Sequence, residues 1–231
     1  METNPKEAAQ ALRIDVISDV VCPWCFIGKR NLESALLQWQ KKFPAEPAPE
    51  VRWHPFQLNP HLPDSGVPRK QYLEEKFGGP QRAKEIYARV SAAGKRAGIA
   101  FDFDRIEVQP NTVNPHRLLH YAQAQGKQDA MAEALFQGYF LHAANLTQDA
   151  TLADLASQAG FDREHVAGYL AGDEDREFVE EQDRRARSTG VEGVPFFIFG
   201  KHYALSGAQP PEVILEVLEK LHTEKSGAAP A

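Results

Sequence analysis

A chain of 231 residues, 42% hydrophobic and 25% charged, has the make-up of a folded globular protein with room for a sizeable core, in one or two domains. The net charge of −6 and a pI near 5.8, with no basic tract, argue against nucleic acid or an acidic membrane surface as the main partner. The polar stretch from Met1 to Ala11 lacks the apolar core of a secretory signal, and no apolar run reaches membrane-spanning length. The expectation is a cytoplasmic protein whose thiols are kept reduced.

Residues 1–11 are expected to be a flexible leader. Arg13-Ile14-Asp15-Val16-Ile17-Ser18-Asp19 is rich in β-branched residues and predicts a short strand. Next comes Val21-Cys22-Pro23-Trp24-Cys25-Phe26, which holds the only two cysteines of the chain. Ile27, Leu32, Leu36, Trp39 and Phe43 then recur at helical intervals. Cys22 is thus predicted where a strand gives way to a helix, with Pro23 in the first turn, where its missing N–H costs little.

Free N–H groups and the positive end of a helix dipole stabilise an anion, so a cysteine at that place is pushed toward thiolate. Neither Pro23 nor Trp24 carries charge, so the backbone dipoles would have to supply that effect. Cys25, one turn on, is placed to attack a mixed disulfide formed at Cys22, which makes Cys22 the nucleophile and Cys25 the resolving thiol. Three plainer readings compete. A zinc site wants four ligands, and no H-x3-5-H pair completes one. Both thiols could simply be small core residues. A purely structural disulfide across so short a loop removes little chain entropy.

The run from Pro44 to Pro49 predicts a loop, Val51–His54 a strand stopped by Pro55, and 57–68 a further loop. From about Pro68 to Gly190 helical patterns dominate, and the short stretch Phe101–Val108 is the one strand candidate. Ala83, Ile86, Tyr87, Val90 and Ala97 share a face, and Arg117–Gln125 predicts a short helix ending at Gly126. Further helices are predicted around Met131–Phe140, Leu152–Ala159, Asp162–Leu170 and Phe178–Ala186. The aromatics Phe136, Tyr139 and Phe140 are assigned to core packing. Strand character returns at Val194–Phe199, with a two-residue turn at Gly200-Lys201 and a returning strand at His202–Leu205. Pro210-Pro211 opens a last helix in which Val213, Ile214, Val217, Leu218 and Leu221 face inward.

The layout is β-α-β, a helical block, then β-β-α: an α/β chain whose two ends complete one sheet covered by helices. The expected division is 12–66 with 189–222 as one discontinuous domain, 67–188 as an all-helical insertion, and 1–11 with 223–231 as flexible tails. Pro195 at a strand start either opens the strand or forms a cis-proline loop beside the cysteines. In the second case free main-chain groups of Val194 would hold an extended polypeptide.

The run Ile17-Ser18-Asp19 … Cys22-Pro23-Trp24-Cys25 … Gly28-Lys29-Arg30 resembles the DsbA-like thioredoxin-fold family, in particular its cytoplasmic FrnE-type branch. So do Trp53 to Pro60, Asn111-Thr112 with His116-Arg117-Leu118, and Gly190 to Phe197, in the family's order and over about residues 12–222. The resemblance implies a thioredoxin fold with a helical insertion, thiol–disulfide oxidoreductase activity and a cis peptide before Pro195. Trp24 stands where periplasmic DsbA proteins carry a histidine, which argues for a less oxidising site. Asn114-Pro115 implies a later start for the insertion helix.

The site set is therefore Cys22 and Cys25 as catalytic pair, with Pro23, Trp24, Val194 and Pro195 contacting substrate. Asp19 and His54 are candidate proton carriers for Cys25, each balanced by a plainer role: a solvated strand-end or cap residue for Asp19, a hydrogen-bonded structural histidine for His54. No metal and no bound cofactor are expected; glutathione is a possible co-substrate. Partners would be thiol or disulfide compounds, protein or small molecule; oligomeric state is open. Two rival functions remain: a glutathione-dependent isomerase or transferase of the 2-hydroxychromene-2-carboxylate isomerase and kappa type, and a non-catalytic peptide-binding module. The first generally has serine where this chain has Cys22.

Overall fold

The computed structural model describes residues 11–225. All but Ala11 of the expected leader, and the expected tail beyond Lys225, lie outside these residues.

Strand β1 (Arg13–Ser18) is the centre of the sheet, between β2 (Glu50–Pro55) and β5 (Phe196–Phe199), with β6 (Tyr203–Ser206) at the far edge. β1 runs parallel to β2, with Val16 opposite Trp53, because helix α1 (Pro23–Lys42) carries the chain back between them. β5 is antiparallel to β1, with Val16 opposite Phe197, and the hairpin to β6 closes the order β2-β1-β5-β6. The chain's two ends thus complete one sheet. Alternation along β1 gives its faces different neighbours. Ile14 and Val16 are fully buried in the large core, while Ile17 joins a smaller cluster with Phe56, Ala186 and Val191.

Between β2 and β5 lie β3 (Val67–Pro68), α2 (Arg69–Phe77), α3 (Pro80–Arg96), β4 (Val108–Gln109) and helices α4 (Val113–Gln123), α5 (Gln128–His142), α6 (Asp149–Gln158), α7 (Arg163–Leu170) and α8 (Arg176–Ser188). Helix α9 (Pro211–Lys225) packs along α1 and buries Ile214, Leu218 and Leu221. No helix among the described residues is long and apolar enough to cross a membrane.

Helix α5 joins the insertion to the rest. Phe136, Tyr139 and Phe140 are all buried in it, and the Phe26 ring of α1 stacks on Phe136 at 5.2 Å between centroids. Beside this aromatic contact, Lys29 of α1 is only 2% exposed and sits within 3.2 Å of Asp129 and 3.0 Å of Glu133. Burial opposes its charge, but Asp129, Glu33 and Glu133 outweigh that and raise its pKa.

The structure corrects several expectations. Helix α4 starts at Val113 and ends at Gln123, where Arg117–Gln125 was expected. Pro115 takes its third position, where a helical residue has no intrahelical acceptor for an N–H anyway, and Asn111 Oδ1 accepts from the Val113 N–H at 2.9 Å. Phe101–Val108 is not a strand: it contains a 3-10 turn, and only Val108 continues into β4. The insertion is not all-helical, since β4 pairs with β3 over two residues. The turn after Phe199 spans Gly200, Lys201 and His202, one residue longer than expected, with positive φ at Gly200 and Lys201. Thr223–Lys225 belongs to α9 and not to a flexible tail.

Candidate active site

Cys22 is the N-cap of α1, in extended conformation (φ −93°, ψ 113°), and Pro23 is the first helical residue. This places the Cys22 sulfur at the positive end of a twenty-residue helix whose last turn carries Lys41 and Lys42. The Cys22 N–H donates to the Asp19 carbonyl at 3.0 Å, which fixes the turn out of β1, and the Cys25 N–H donates to the Cys22 carbonyl at 3.0 Å. Both thiols are free; Cys22 is 5% exposed and Cys25 is 1% exposed.

The Val194–Pro195 peptide is cis. It brings the Val194 carbonyl to 3.5 Å from the Cys22 Sγ, which donates to it. No group among the described residues accepts the Val194 N–H. Pro195 is buried against α1: a Cβ added at Gly28 would stand 3.0 Å from its ring and 3.1 Å from Phe197. Glycine at position 28 is what lets the helix lie on this loop. Trp24, at 41% exposure, stands outward beside Cys22.

Burial pushes the Cys25 thiol well above its ordinary range, and the hydrogen bond and charge of Cys22 add to this. Hydrogen bonds from the Ser18 side chain and the Asp19 main chain oppose it only in part. Cys25 is thus held as a neutral thiol behind Cys22.

The two candidate proton carriers are placed differently. Asp19 is fully buried, so it is not a solvated strand end. Its Oδ2 accepts from the Leu58 N–H at 2.7 Å, and its Oδ1 lies 3.5 Å from His116 Nε2 and from the Val21 N–H. The carboxylate therefore pins the loop after β2, while its main chain reaches Cys25. His54 pairs in register with Ile17, and its Nε2 lies 2.6 Å from Asp15 Oδ1. Asp15 and Ile17 share one face of β1, whereas Ser18, which touches Cys25, points to the other. The structure does not bring His54 to the thiols; it is a hydrogen-bonded partner of Asp15.

Two buried groups are not among the expected site residues. His116 is buried, with Nε2 at 3.3 Å from the Phe56 carbonyl and Nδ1 without a partner. Arg69 of α2 is 2% exposed and donates to Gln109 Oε1 (2.8 Å), the Tyr139 hydroxyl (2.7 Å) and the Tyr87 hydroxyl (2.9 Å). His116 stands in the run His116-Arg117-Leu118 without an assigned role, nothing local signals Arg69, and only the fold shows where each is placed. Both Tyr87 and Gln109 line a cavity of about 280 Å³ that opens beside Cys22 and is walled by Trp24, Leu58, Tyr72, Phe77 and Val194 among others.

A probable DsbA oxidoreductase of Streptomyces coelicolor shares this architecture at a TM-score of 0.81, with 32% identity over 95% of this chain and 92% of that one. The 2-hydroxychromene-2-carboxylate isomerase superposes at 0.69 with 14% identity, covering 94% of this chain and all (100%) of that one. The cytosolic disulfide reductase DsbM of Pseudomonas aeruginosa, solved with GSH, superposes at 0.63 with 16% identity over 90% and 98% of the two chains. At such identities the last two likenesses show the fold alone. Residues 13–219 match the DSBA-like thioredoxin domain, and the chain belongs to that family.

Proposed function

We propose that this protein is a thiol–disulfide oxidoreductase that cycles Cys22 and Cys25 between dithiol and disulfide. The observation that carries the reading is the arrangement of the pair: Cys22 at a helix N-terminus on the wall of a cavity, Cys25 one turn behind it and sealed from solvent. A helix start favours negative charge on the outer sulfur, which attacks a substrate disulfide and releases one thiolate. The resulting mixed disulfide removes the charge on Cys22 that helped keep Cys25 protonated. Cys25 then attacks the Cys22 sulfur, its proton goes to the second departing thiolate, and two electrons have passed to the substrate. The reverse sequence oxidises a substrate dithiol.

Pro23, Trp24, Val194 and Pro195 form the contact surface in this reading, with the free Val194 N–H available to a substrate main chain. Asp19 serves the pair through its main chain and through its hold on the Leu58 loop, and His54 has no part in proton transfer. We place the activity in the cytoplasm, with glutathione as a candidate co-substrate; the cytosolic, GSH-bound DsbM neighbour and the absence of cysteines beyond the pair support this. The isomerase reading has the fold likeness in its favour but leaves the sealed second thiol without a task.

Equilibration in graded glutathione buffers, with alkylation of free thiols, tests the proposal. A single reversible two-electron transition, and a trapped glutathione adduct in Cys25→Ser, are expected. Failure to form any Cys22–Cys25 disulfide across the whole range would overturn it.

A further inference from the structure

The guanidinium of Arg69 is buried without a carboxylate. Among the described residues it makes no ion pair, and its Nε has no hydrogen-bond partner. A buried charge in that condition is costly unless something compensates it. Its partners reveal where compensation is available. Arg69 can only donate, so the Tyr87 oxygen must accept from it and the Tyr87 proton must point elsewhere. For the same reason Gln109 turns Oε1 toward Arg69, which leaves its NH2 group free. Both residues line the cavity beside Cys22.

The rest of the cavity's polar edge has the same character. Tyr72 donates to Asn59 Oδ1 at 2.6 Å and accepts from Lys76 at 2.7 Å, so Asn59 also presents its NH2. No Asp or Glu lines the cavity; Lys76 does, with its ammonium on the Tyr72 hydroxyl, and the remaining walls are apolar or aromatic. Asp19 is felt electrostatically at Tyr139, but its oxygens are taken by the Leu58 and Val21 amides. An apolar chamber edged by hydrogen-bond donors, with a cation behind them that meets tyrosine rings and neutral acceptors but no carboxylate, and a cysteine in its wall, is complementary to one kind of occupant.

We propose that this cavity binds a small apolar thiol or disulfide bearing a carboxylate, whose oxygens are held by the Tyr87 hydroxyl and the Gln109 amide, with Arg69 as the positioning residue behind them. This rests on the oxidoreductase reading and names its substrate class. The Cys22 thiolate attacks the disulfide of the bound compound and one thiolate leaves; Cys25 then attacks the Cys22 sulfur, the second thiolate departs, and the Cys25 proton goes to it. The protein's dithiol is oxidised and the compound's disulfide reduced by two electrons.

The test is rapid mixing of reduced protein with 4,4′-dithiodibenzoate or with its neutral counterpart, 4,4′-dithiobis(benzamide), following oxidation of the Cys22/Cys25 pair. The carboxylate should saturate at a concentration at least tenfold below the amide, and Tyr87→Phe should cut that preference about tenfold, ~1.4 kcal/mol. Equal half-saturation for the two, a preference unmoved by Tyr87→Phe, or equal efficiency of a cysteine-peptide disulfide would each overturn the proposal and leave the oxidoreductase reading intact. If neither compound oxidises the pair, that reading is what fails. Protection of Cys22 from iodoacetamide by 4-(methylthio)benzoate then decides the site alone: protection supports it, and none refutes it.

Discussion

Glu133 is the residue through which charge on the insertion grips the helix that carries the thiols. It accepts from Arg30 Nη1 at 2.9 Å and from Arg30 Nη2, and lies 3.0 Å from Lys29 Nζ. Burial works against its ionisation, yet Arg30 and Lys29 outweigh this and hold the carboxyl at about 2, down from 4.5. That difference corresponds to ~3.4 kcal/mol at neutral pH. The side chain is 25% exposed, so solvent screening reduces the expectation to about 2 kcal/mol. Because the folded-state value is depressed, the contribution is full above the unfolded value and is lost as pH falls through about 2. Glu133→Gln keeps the shape and removes the charge, leaving Lys29 with Glu33 and Asp129. Urea unfolding should show the variant about 2 kcal/mol less stable at pH 7, with the gap closing toward pH 2. A gap below ~0.5 kcal/mol at pH 7, or one that persists at pH 2, would refute the reasoning.

Cys25→Ser should accumulate a covalent adduct at Cys22 with a disulfide substrate, whereas Cys22→Ser should form none; mass spectrometry under non-reducing conditions reads both. The raised Cys25 pKa means that between ~9 and ~10, below the range where the raised tyrosines Tyr87, Tyr139 and Tyr169 contribute, the unfolded chain gives up a proton that the folded one keeps, so stability of the reduced protein should fall there with pH at ~1.4 kcal/mol per pH unit. Cys25→Ser should lack that slope, and parallel curves for the two proteins would count against a sealed neutral thiol. Gly28→Ala gains helix propensity but drives a methyl to 3.0 Å from Pro195 and 3.1 Å from Phe197. A net loss of about 1 kcal/mol in denaturant midpoint, with slower oxidation of the pair, is expected.

What could be read from the sequence was what depends on nearest neighbours. The β-branched run of β1, the proline at the first position of α1 and the cysteine spacing are local, and they place Cys22 at a helix start without tertiary information. Helix α2 escaped because Arg69–Phe77 carries only Tyr72, Leu73 and Phe77 as large apolar residues. β3 and β4 are two residues each and exist through their pairing, not through propensity. His54 was tempting as a proton carrier because it ends a strand beside the site; the register that sets it opposite Ile17, and so toward Asp15, is a property of the sheet. Asp19 looked like a solvated cap because its three partners, Leu58, Val21 and His116, are distributed over nearly a hundred residues of chain.

The same division runs through the chemistry. In the proposed cycle the nucleophile and the resolving thiol sit on one helical turn, so their reactivity would be written into a short segment and into how deeply that segment is buried. What approaches Cys22 is governed instead by α2, α3 and β4, which supply Tyr72, Tyr87 and Gln109 to the cavity. These elements are held by Arg69 at their centre, since one guanidinium ties the start of α2 to Tyr87 of α3, Gln109 of β4 and Tyr139 of α5. A cation so placed does two things at once: it joins four elements of the insertion, and it turns Tyr87 and Gln109 so that their donors are left for the cavity. Structural and selective roles of Arg69 are therefore inseparable in a truncation. Tyr87→Phe is the milder probe: it leaves the ring packed against Phe77 and Phe103 and removes one of the acceptors of Arg69 together with the donor assigned to the substrate in the proposal.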